Sequence, residues 1–137
     1  MSDQPEPVAQ RLNPEGLHHN PAFSQVVTVS PSASTIYIGG QNAVDASGAL
    51  IGKGDLKSQT EQIFKNLEIA LKAAGAELHD IIKWTIYTIQ GQDVHSAVEV
   101  FQRVWGRETP PPLITGVFVA GLAHPQYLVE IEVIAVR

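Results

Sequence analysis

The chain has 137 residues, no cysteine and a formal net charge of −5 at pH 7. This length supports one hydrophobic core, and the lack of cysteine excludes a disulfide framework, a thiol nucleophile and a cysteine-based metal site. The basic residues are scattered singly, which argues against a nucleic-acid binder, because such proteins cluster positive charge against phosphates. Neither a signal-peptide core nor a membrane-spanning stretch is present, so the expected compartment is the cytoplasm.

Composition shifts predict a flexible, polar tail over residues 1–10 and a single domain over residues 11–137. Within the domain, residues 11–17 are predicted to form a short edge strand that runs into a turn. Residues 23–29 and 35–42 have strand composition and flank a proline-containing loop. They are predicted to pair as a first hairpin.

Two helices are predicted from apolar residues at helical spacing. The first covers residues 56–74, with Asp55 as its N-cap and Gly75 as its stop, and the second covers residues 94–105 and ends at Gly106. Residues 80–89 lie between them and alternate as a strand, with Lys83, Thr85 and Tyr87 on one face.

The C-terminal segment predicts two strands, residues 113–122 and 128–136, joined as an antiparallel hairpin at Ala-His-Pro-Gln. The element order indicates an α+β domain, in which one mixed sheet carries two helices on one face. In the last strand Glu130 and Glu132 share a face with Ile134 and Val136. Because the uncovered face is not polar throughout, we expect a homo-oligomer in which these faces meet.

Several motifs in a fixed order together resemble the reactive intermediate deaminase (Rid, YjgF-like) family, formerly called the L-PSP endoribonuclease family. They are Phe23-Ser24-Gln25, Ile36 through Gln41, Asp45 with Gly48, Gln59 through Leu67, Ala74-Gly75, Asp80 through Lys83, and Val129 through Val136. The resemblance implies a chorismate-mutase-like fold and a homotrimer with small-molecule clefts between subunits. It also implies hydrolysis of enamines and imines such as 2-aminoacrylate to a 2-keto acid and ammonia, without cofactor or metal.

The resemblance assigns Glu130 to the family's cleft glutamate, which positions water, and makes it the candidate catalytic residue. The other candidate substrate-binding residues are Phe23, Gly39, Gln41, Trp84, Ile114, Thr115 and Gly116. Of these, Trp84 lies on an apolar stripe, which favours a core or interface position over a stacking platform.

Four of these positions depart from the family's pattern. Ile114 stands where the family's arginine clamps the substrate carboxylate, and Gly116 stands where cysteine is common. Gly39 and Phe23 replace a small polar residue and an aromatic hydroxyl. Losing the charge-assisted interaction costs roughly 1.5–3 kcal/mol. We therefore expect weak or absent 2-aminoacrylate deamination and a preference for a neutral or less acidic ligand.

Three questions stay open at this point. The first is whether the guanidinium group of Arg103 or Arg107 takes the place of the missing substrate-binding arginine in the folded protein. The alternative to an imine hydrolase is a non-catalytic trimer that binds a metabolite or a protein partner. A ribonuclease or translation inhibitor is the least favoured interpretation, because an acidic chain without a basic patch is poorly equipped to cut RNA. The five histidines show no metal-ligand spacing.

Overall fold

A computed structural model describes residues 7–137 of the chain. The strands are β1 (Ala9–Leu12), β2 (Val26–Val29), β3 (Thr35–Gln41), β4 (Ile81–Ile89), β5 (Leu113–Val119) and β6 (Val129–Val136). The helices are α1 (Leu56–Ala73) and α2 (His95–Trp105), and a short 3-10 turn at Leu78–Asp80 precedes β4.

The main sheet has four strands in the order β3-β6-β4-β5. The β4–β5 pair is parallel, whereas β6 runs antiparallel to both β3 and β4. Both helices pack against one face of this sheet around a single hydrophobic core. The predicted α+β class, with two helices on one face of a mixed sheet, is therefore confirmed.

Both predicted hairpins are wrong. Strand β2 pairs with β1 in a separate two-stranded sheet, and β3 pairs with β6. Strand β5 pairs in parallel with β4 through the α2 crossover, and β6 lies between β3 and β4. The physical reason is that both faces of β6 are largely apolar, although one carries Glu130 and Glu132, and such a strand is better covered between two neighbours than at the sheet edge.

Part of the predicted tail, residues 1–6, lies outside the described residues. The other part is partly structured, because Ala9 and Gln10 pair with Val29 and Thr28 in the β1–β2 sheet. The first strand therefore begins inside the predicted tail.

Both helix predictions are confirmed to within a residue at each end. Asp55 caps α1, and its Oδ1 and Oδ2 accept hydrogen bonds from Lys57 N at 3.1 Å and Ser58 Oγ at 2.7 Å. Gly75, just beyond the end of α1, has a positive φ of 75°, which explains why glycine stands at this stop. Gly106 ends α2.

Aromatic side chains fill the space between the sheet and the helices. Trp84 on β4 lies 5.3 Å from Phe64 on α1 and 5.5 Å from Phe101 on α2, measured between ring centroids. Trp105 stacks on Phe101 at 6.0 Å. This cluster fixes the helix layer on one side of the sheet and leaves the other side uncovered by helices.

Candidate functional site

The sheet face turned away from the helices, called the open face here, carries most of the candidate polar residues. Side chains alternate across each strand, and the strand register places matched residues on the same face. The open face consists of Tyr37, Gly40, Lys83, Thr85, Tyr87, Thr115, Val117, Glu130, Glu132 and Ile134.

Glu130 lies in a row that crosses the sheet near the start of β6. It pairs across the strands with Tyr87, which in turn pairs with Val117 on the edge strand β5. Gly40 on β3 lies against the Glu130 side chain on the opposite side. Glu130 therefore has an aromatic neighbour on one side and bare backbone on the other.

Tyr87 connects the two acids of the open face. Its hydroxyl donates a hydrogen bond to Glu132 Oε1 at 3.0 Å. That bond is the main cause that raises the pKa of Tyr87, with smaller contributions from burial and from the charges of Glu132 and Glu130. The Tyr87 hydroxyl thus keeps its proton and donates its hydrogen bond to Glu132, so the Glu130 carboxylate accepts no hydrogen bond from it.

A bulge in β3 makes room for Glu130. The register with β6 shifts between Ile38 and Gln41, so that Gly39 and Gly40 form the irregular step. A Cβ built on Gly40 would lie 2.8 Å from Glu130 Cδ, whereas one on Gly39 would meet nothing within 4 Å. The observed position of the Glu130 side chain therefore leaves no room for a Cβ at residue 40, whereas residue 39 has room for one.

The Gln41 side chain makes a hydrogen bond inside this bulge. Its Nε2 donates a hydrogen bond to the carbonyl oxygen of Gly39 at 3.1 Å. The structure thus brings Gly39, Gln41 and Glu130 to the same end of the sheet. In this conformation the Gln41 amide stabilises the backbone of the bulge.

The β5 candidates divide between the two faces. Ile114 and Gly116 are in register with Trp84 and Ile86, which places them toward the helices, and Ile114 packs against the core. Thr115 is in register with Thr85 and lies on the open face. Within one chain, therefore, Thr115 shares a face with Glu130 and Ile114 does not.

Trp84 requires a correction. Its side chain is 0% exposed and is enclosed by the aromatic cluster under the helices. A side chain without accessible surface cannot contact a ligand on the open face, so its assignment as a substrate-binding residue is wrong. The apolar stripe on which it lies already indicated the core.

Phe23 lies at the far end of the sheet from Glu130. The next residue, Ser24, donates through its backbone N to Pro112 O at 3.1 Å and through its Oγ to Pro111 O at 2.6 Å. These bonds fix the Phe23 loop beside the start of β5. Phe23 and Glu130 are thus separated by the length of the strands.

The two arginines considered as substitutes lie outside the open face. Arg103 Nη2 is 3.6 Å from Glu61 Oε2, an ion pair between α2 and α1 on the helix layer. Arg107 is exposed in the segment after α2. Among residues 7–137 the Arg103–Glu61 ion pair is the only one, so the carboxylates of Glu130 and Glu132 have no cation within 4.0 Å.

A shallow groove continues the open face past Glu132. It has a volume of about 290 Å³, and its lining residues are Tyr37, Ile38, Gly39, Lys83, Thr85, Glu132, Val133 and Ile134. The alternation of β4 places Lys83, Thr85 and Tyr87 on this face, but sequence reasoning did not assign them to the site. The register of β4 with β6 is the information that was missing.

The side-chain amides of Gln59 and Asn66 hold the loops around the Glu130 end of the sheet. Gln59 is 0% exposed, and its Nε2 donates to Gly52 O at 3.1 Å and to Gln126 O at 3.0 Å, while its Oε1 accepts from Leu128 N at 2.9 Å. Asn66 Nδ2 similarly donates to Asn42 O at 3.0 Å. These contacts give a structural reason for the amides between Gln59 and Leu67.

The described residues contain no cluster of three or more His, Asp or Glu side chains able to hold a metal ion. In the same part of the chain, no helix is both long and apolar enough to cross a bilayer.

Residues 16–137 match the family model described as Endoribonuclease L-PSP. The chain belongs to this family, which is the YjgF/Rid family. The resemblance derived from the sequence motifs is therefore confirmed.

Relatives and solved structures agree with this membership. The chain is 36% identical over 115 residues to a RutC family protein of Pyrococcus horikoshii, covering 84% of this chain and 86% of the relative. It is 32% identical over 115 residues to the 2-iminobutanoate/2-iminopropanoate deaminase of Mus musculus, covering 84% and 81% of the two chains. The crystal structure of the Rid family protein YyfB from Yersinia pestis, whose function is unknown, matches with a TM-score of 0.82 and 31% identity over 93% of this chain and 98% of that one.

Proposed function

We propose that this protein hydrolyses small imines or enamines to a carbonyl compound and ammonia, with Glu130 as the catalytic residue. The observation that carries the proposal is the state of the Glu130 carboxylate. It lies half-buried on the open face, beside the glycine bulge, without an ion-pair partner among the described residues, and the neighbouring hydroxyl of Tyr87 serves Glu132 instead. Such a carboxylate is available to take a proton from water.

The reaction needs only proton transfers around one water molecule. Glu130 takes a proton from water as the oxygen bonds to the imine carbon, and the C=N π electrons move to nitrogen. Because the path starts from the protonated imine, this addition gives a neutral carbinolamine, whose nitrogen then receives the proton from Glu130. The C–N bond breaks and ammonia leaves, while the hydroxyl proton passes to the Glu130 carboxylate as the carbonyl forms. An enamine enters the same path after protonation at its β carbon gives the iminium. No cofactor or metal takes part.

We also propose that the chain acts as a homotrimer whose open faces meet, with the pockets between subunits. Tyr37 is 77% exposed and Val117 is 41% exposed on this face, an exposure that a second copy would cover. Because Ile114, Gly116 and Phe23 lie away from the Glu130 side chain within one chain, a pocket that includes all of them needs two subunits. Gly39, Gln41 and Thr115 would line the pocket on the side of Glu130.

The proposal also includes a substrate class and a compartment. Without an arginine at Ile114, activity on 2-aminoacrylate is expected to be weak or absent, and the cytoplasm is the proposed compartment. The substrate is a small metabolite, and neither a nucleic acid nor a membrane is part of the proposed function.

The test measures hydrolysis of imines generated in situ by an amino-acid oxidase from neutral, aromatic and acidic amino acids, and by an amine oxidase from amines that carry no carboxylate. Wild type is compared with Glu130→Gln and with Glu108→Gln, which changes an exposed acid beyond α2. Glu130→Gln is expected to lose about 10²- to 10⁴-fold in rate, the usual contribution of general acid–base catalysis, while Glu108→Gln keeps the wild-type rate.

Two results would contradict the proposal. A Glu130→Gln variant as active as wild type would show that Glu130 has no catalytic role. A wild type that accelerates none of the imines, yet binds keto acids or amines in calorimetry, would identify a non-catalytic binding protein.

A further inference from the structure

We propose that the Glu130 site selects imines that carry no carboxylate, and that it binds them as the protonated iminium ion. The inference rests on the proposed function for the hydrolytic step, but its ligand-binding part can be tested separately. It is carried by the distribution of charge over the sheet.

Cations are almost absent from the sheet that carries Glu130. The chain has nine Lys and Arg residues. Lys83 is the only one in the four strands β3, β4, β5 and β6. The others lie in β1, on the helices, or in connecting and terminal segments, and they are Arg11, Lys53, Lys57, Lys65, Lys72, Arg103, Arg107 and Arg137.

Lys83 is too far along the sheet to assist at Glu130. It pairs across the strands with Ile134, which lies four residues beyond Glu130 on β6. At about 3.3 Å per residue, this separation is roughly 13 Å along the strand. A 2-imino acid has its carboxylate bonded directly to the imine carbon. One such molecule therefore cannot place its imine carbon at Glu130 and its carboxylate at Lys83.

The charges that do lie near Glu130 are negative. Glu132 follows two residues later on the same face, and the charges of both acids contribute to holding the proton on Tyr87. A carboxylate placed here meets two like charges, whereas an iminium nitrogen meets two opposite ones. Protonation also makes the imine carbon a better target for water, so the form that binds is the form that reacts.

The neighbouring residues suit an apolar substituent. Val117 lies next to Tyr87 in the Glu130 row, and it is exposed on the open face. On the other side, Gly40 offers only backbone. An alkyl or aryl group attached to the imine carbon would contact Val117 and the Tyr87 ring, and it would need no polar partner there.

The experiment uses two imines that differ only in the carboxylate. A flavin amine oxidase generates the imine of 2-phenylethylamine, and an amino-acid oxidase generates the imine of phenylalanine. We expect kcat/KM to be at least about tenfold higher for the imine without the carboxylate, a difference of about 1.4 kcal/mol. Glu132→Gln should reduce this preference, while Glu61→Gln, which removes an acid on the helix layer, should leave it unchanged.

Binding of stable analogues separates this inference from the proposed function. Calorimetry with 2-phenylethylammonium and 3-phenylpropionate should show tighter binding of the cation, weakened by Glu132→Gln and not by Lys83→Gln. Binding of the cation without hydrolysis of either imine would support the ligand class and overturn the hydrolase. Preferential hydrolysis of the phenylalanine imine, or tighter binding of 3-phenylpropionate, would overturn the ligand class and leave the hydrolase standing.

Discussion

The Glu130 side chain fills the space that a methyl group on Gly40 would occupy, with Glu130 Cδ only 2.8 Å from the ideal Cβ position. The neighbouring Gly39 has no atom within 4 Å of its corresponding position. Two adjacent glycines in one bulge thus differ in whether they constrain the candidate catalytic residue. This difference offers a matched pair of substitutions.

Gly40→Ala should displace the Glu130 carboxylate and lower kcat strongly, whereas Gly39→Ala should leave that carboxylate in place and change KM more than kcat. A misplacement of about 1 Å in a catalytic group costs up to about 10²-fold. Steady-state imine hydrolysis by both variants checks this, with thermal unfolding as a control for folding. Equal effects of the two substitutions would show that the bulge, and not the contact with Glu130, matters.

Tyr87 should ionise above the usual range of tyrosine, because its hydroxyl donates to Glu132. Since the folded-state pKa is raised, the stabilisation from this bond is present below the unfolded pKa and is lost as the pH rises through the folded pKa. A tyrosinate absorbance titration should therefore show a late step that is missing in Tyr87→Phe. If both proteins titrate identically, the bond does not form in solution.

Gln59→Leu should destabilise the protein by about 2–4 kcal/mol, because it leaves polar backbone groups of two loops without their partner. Chemical denaturation measures the change. Gln102→Leu, on the exposed side of α2, is the control and should change stability little. Hydrogen exchange at Leu128 should rise in Gln59→Leu, and unchanged protection there would contradict the role of the amide.

The cap of α1 should make stability depend on acidic pH. Hydrogen bonds from Ser58 and Lys57 lower the pKa of Asp55. Because a lowered pKa stabilises the fold above the unfolded value, this contribution disappears as the pH falls through the folded pKa. Thermal unfolding should show Asp55→Ala less stable than wild type at pH 7 and nearly equal at low pH.

Asp55→Asn provides the comparison for that experiment. Asparagine is also a good N-cap acceptor but cannot titrate. The variant should keep most of the stability at pH 7 and lose the acid dependence. An Asp55→Asn variant as unstable as Asp55→Ala would show that charge, not the cap geometry, is responsible.

Local patterns predicted the elements well, and strand pairing poorly. The ends of α1 follow from Asp55 and Gly75, because capping and positive φ are properties of a few adjacent residues. The pairing of β3 with β6 does not follow from adjacent residues, since β6 lies almost a hundred residues later in the chain. Pairing between distant strands depends on the whole sheet, and a proline turn suggested a local hairpin that does not form.

The candidate site was predictable in part for the same reason. Alternation along β6 places Glu130 and Glu132 on one face without any knowledge of the fold. It cannot show that Tyr87 is the cross-strand neighbour of Glu130, or that Ile114 lies on the opposite face. Trp84 shows the opposite case: it was a candidate substrate-binding residue, although the apolar stripe on which it lies already indicated the buried core position that it occupies.

The position of β6 in the sheet also bears on biosynthesis. The residues of this central strand, Val129–Val136, join β3 to β4 and are translated after the other strands and helices that the structure describes. Until they leave the ribosome, β3 has no partner in the sheet and the edge of β4 is open, so the nascent chain cannot complete its core. Completion of the sheet therefore waits for β6, and a nascent chain stalled shortly before Val129 would expose two unpaired edges to chaperones and proteases.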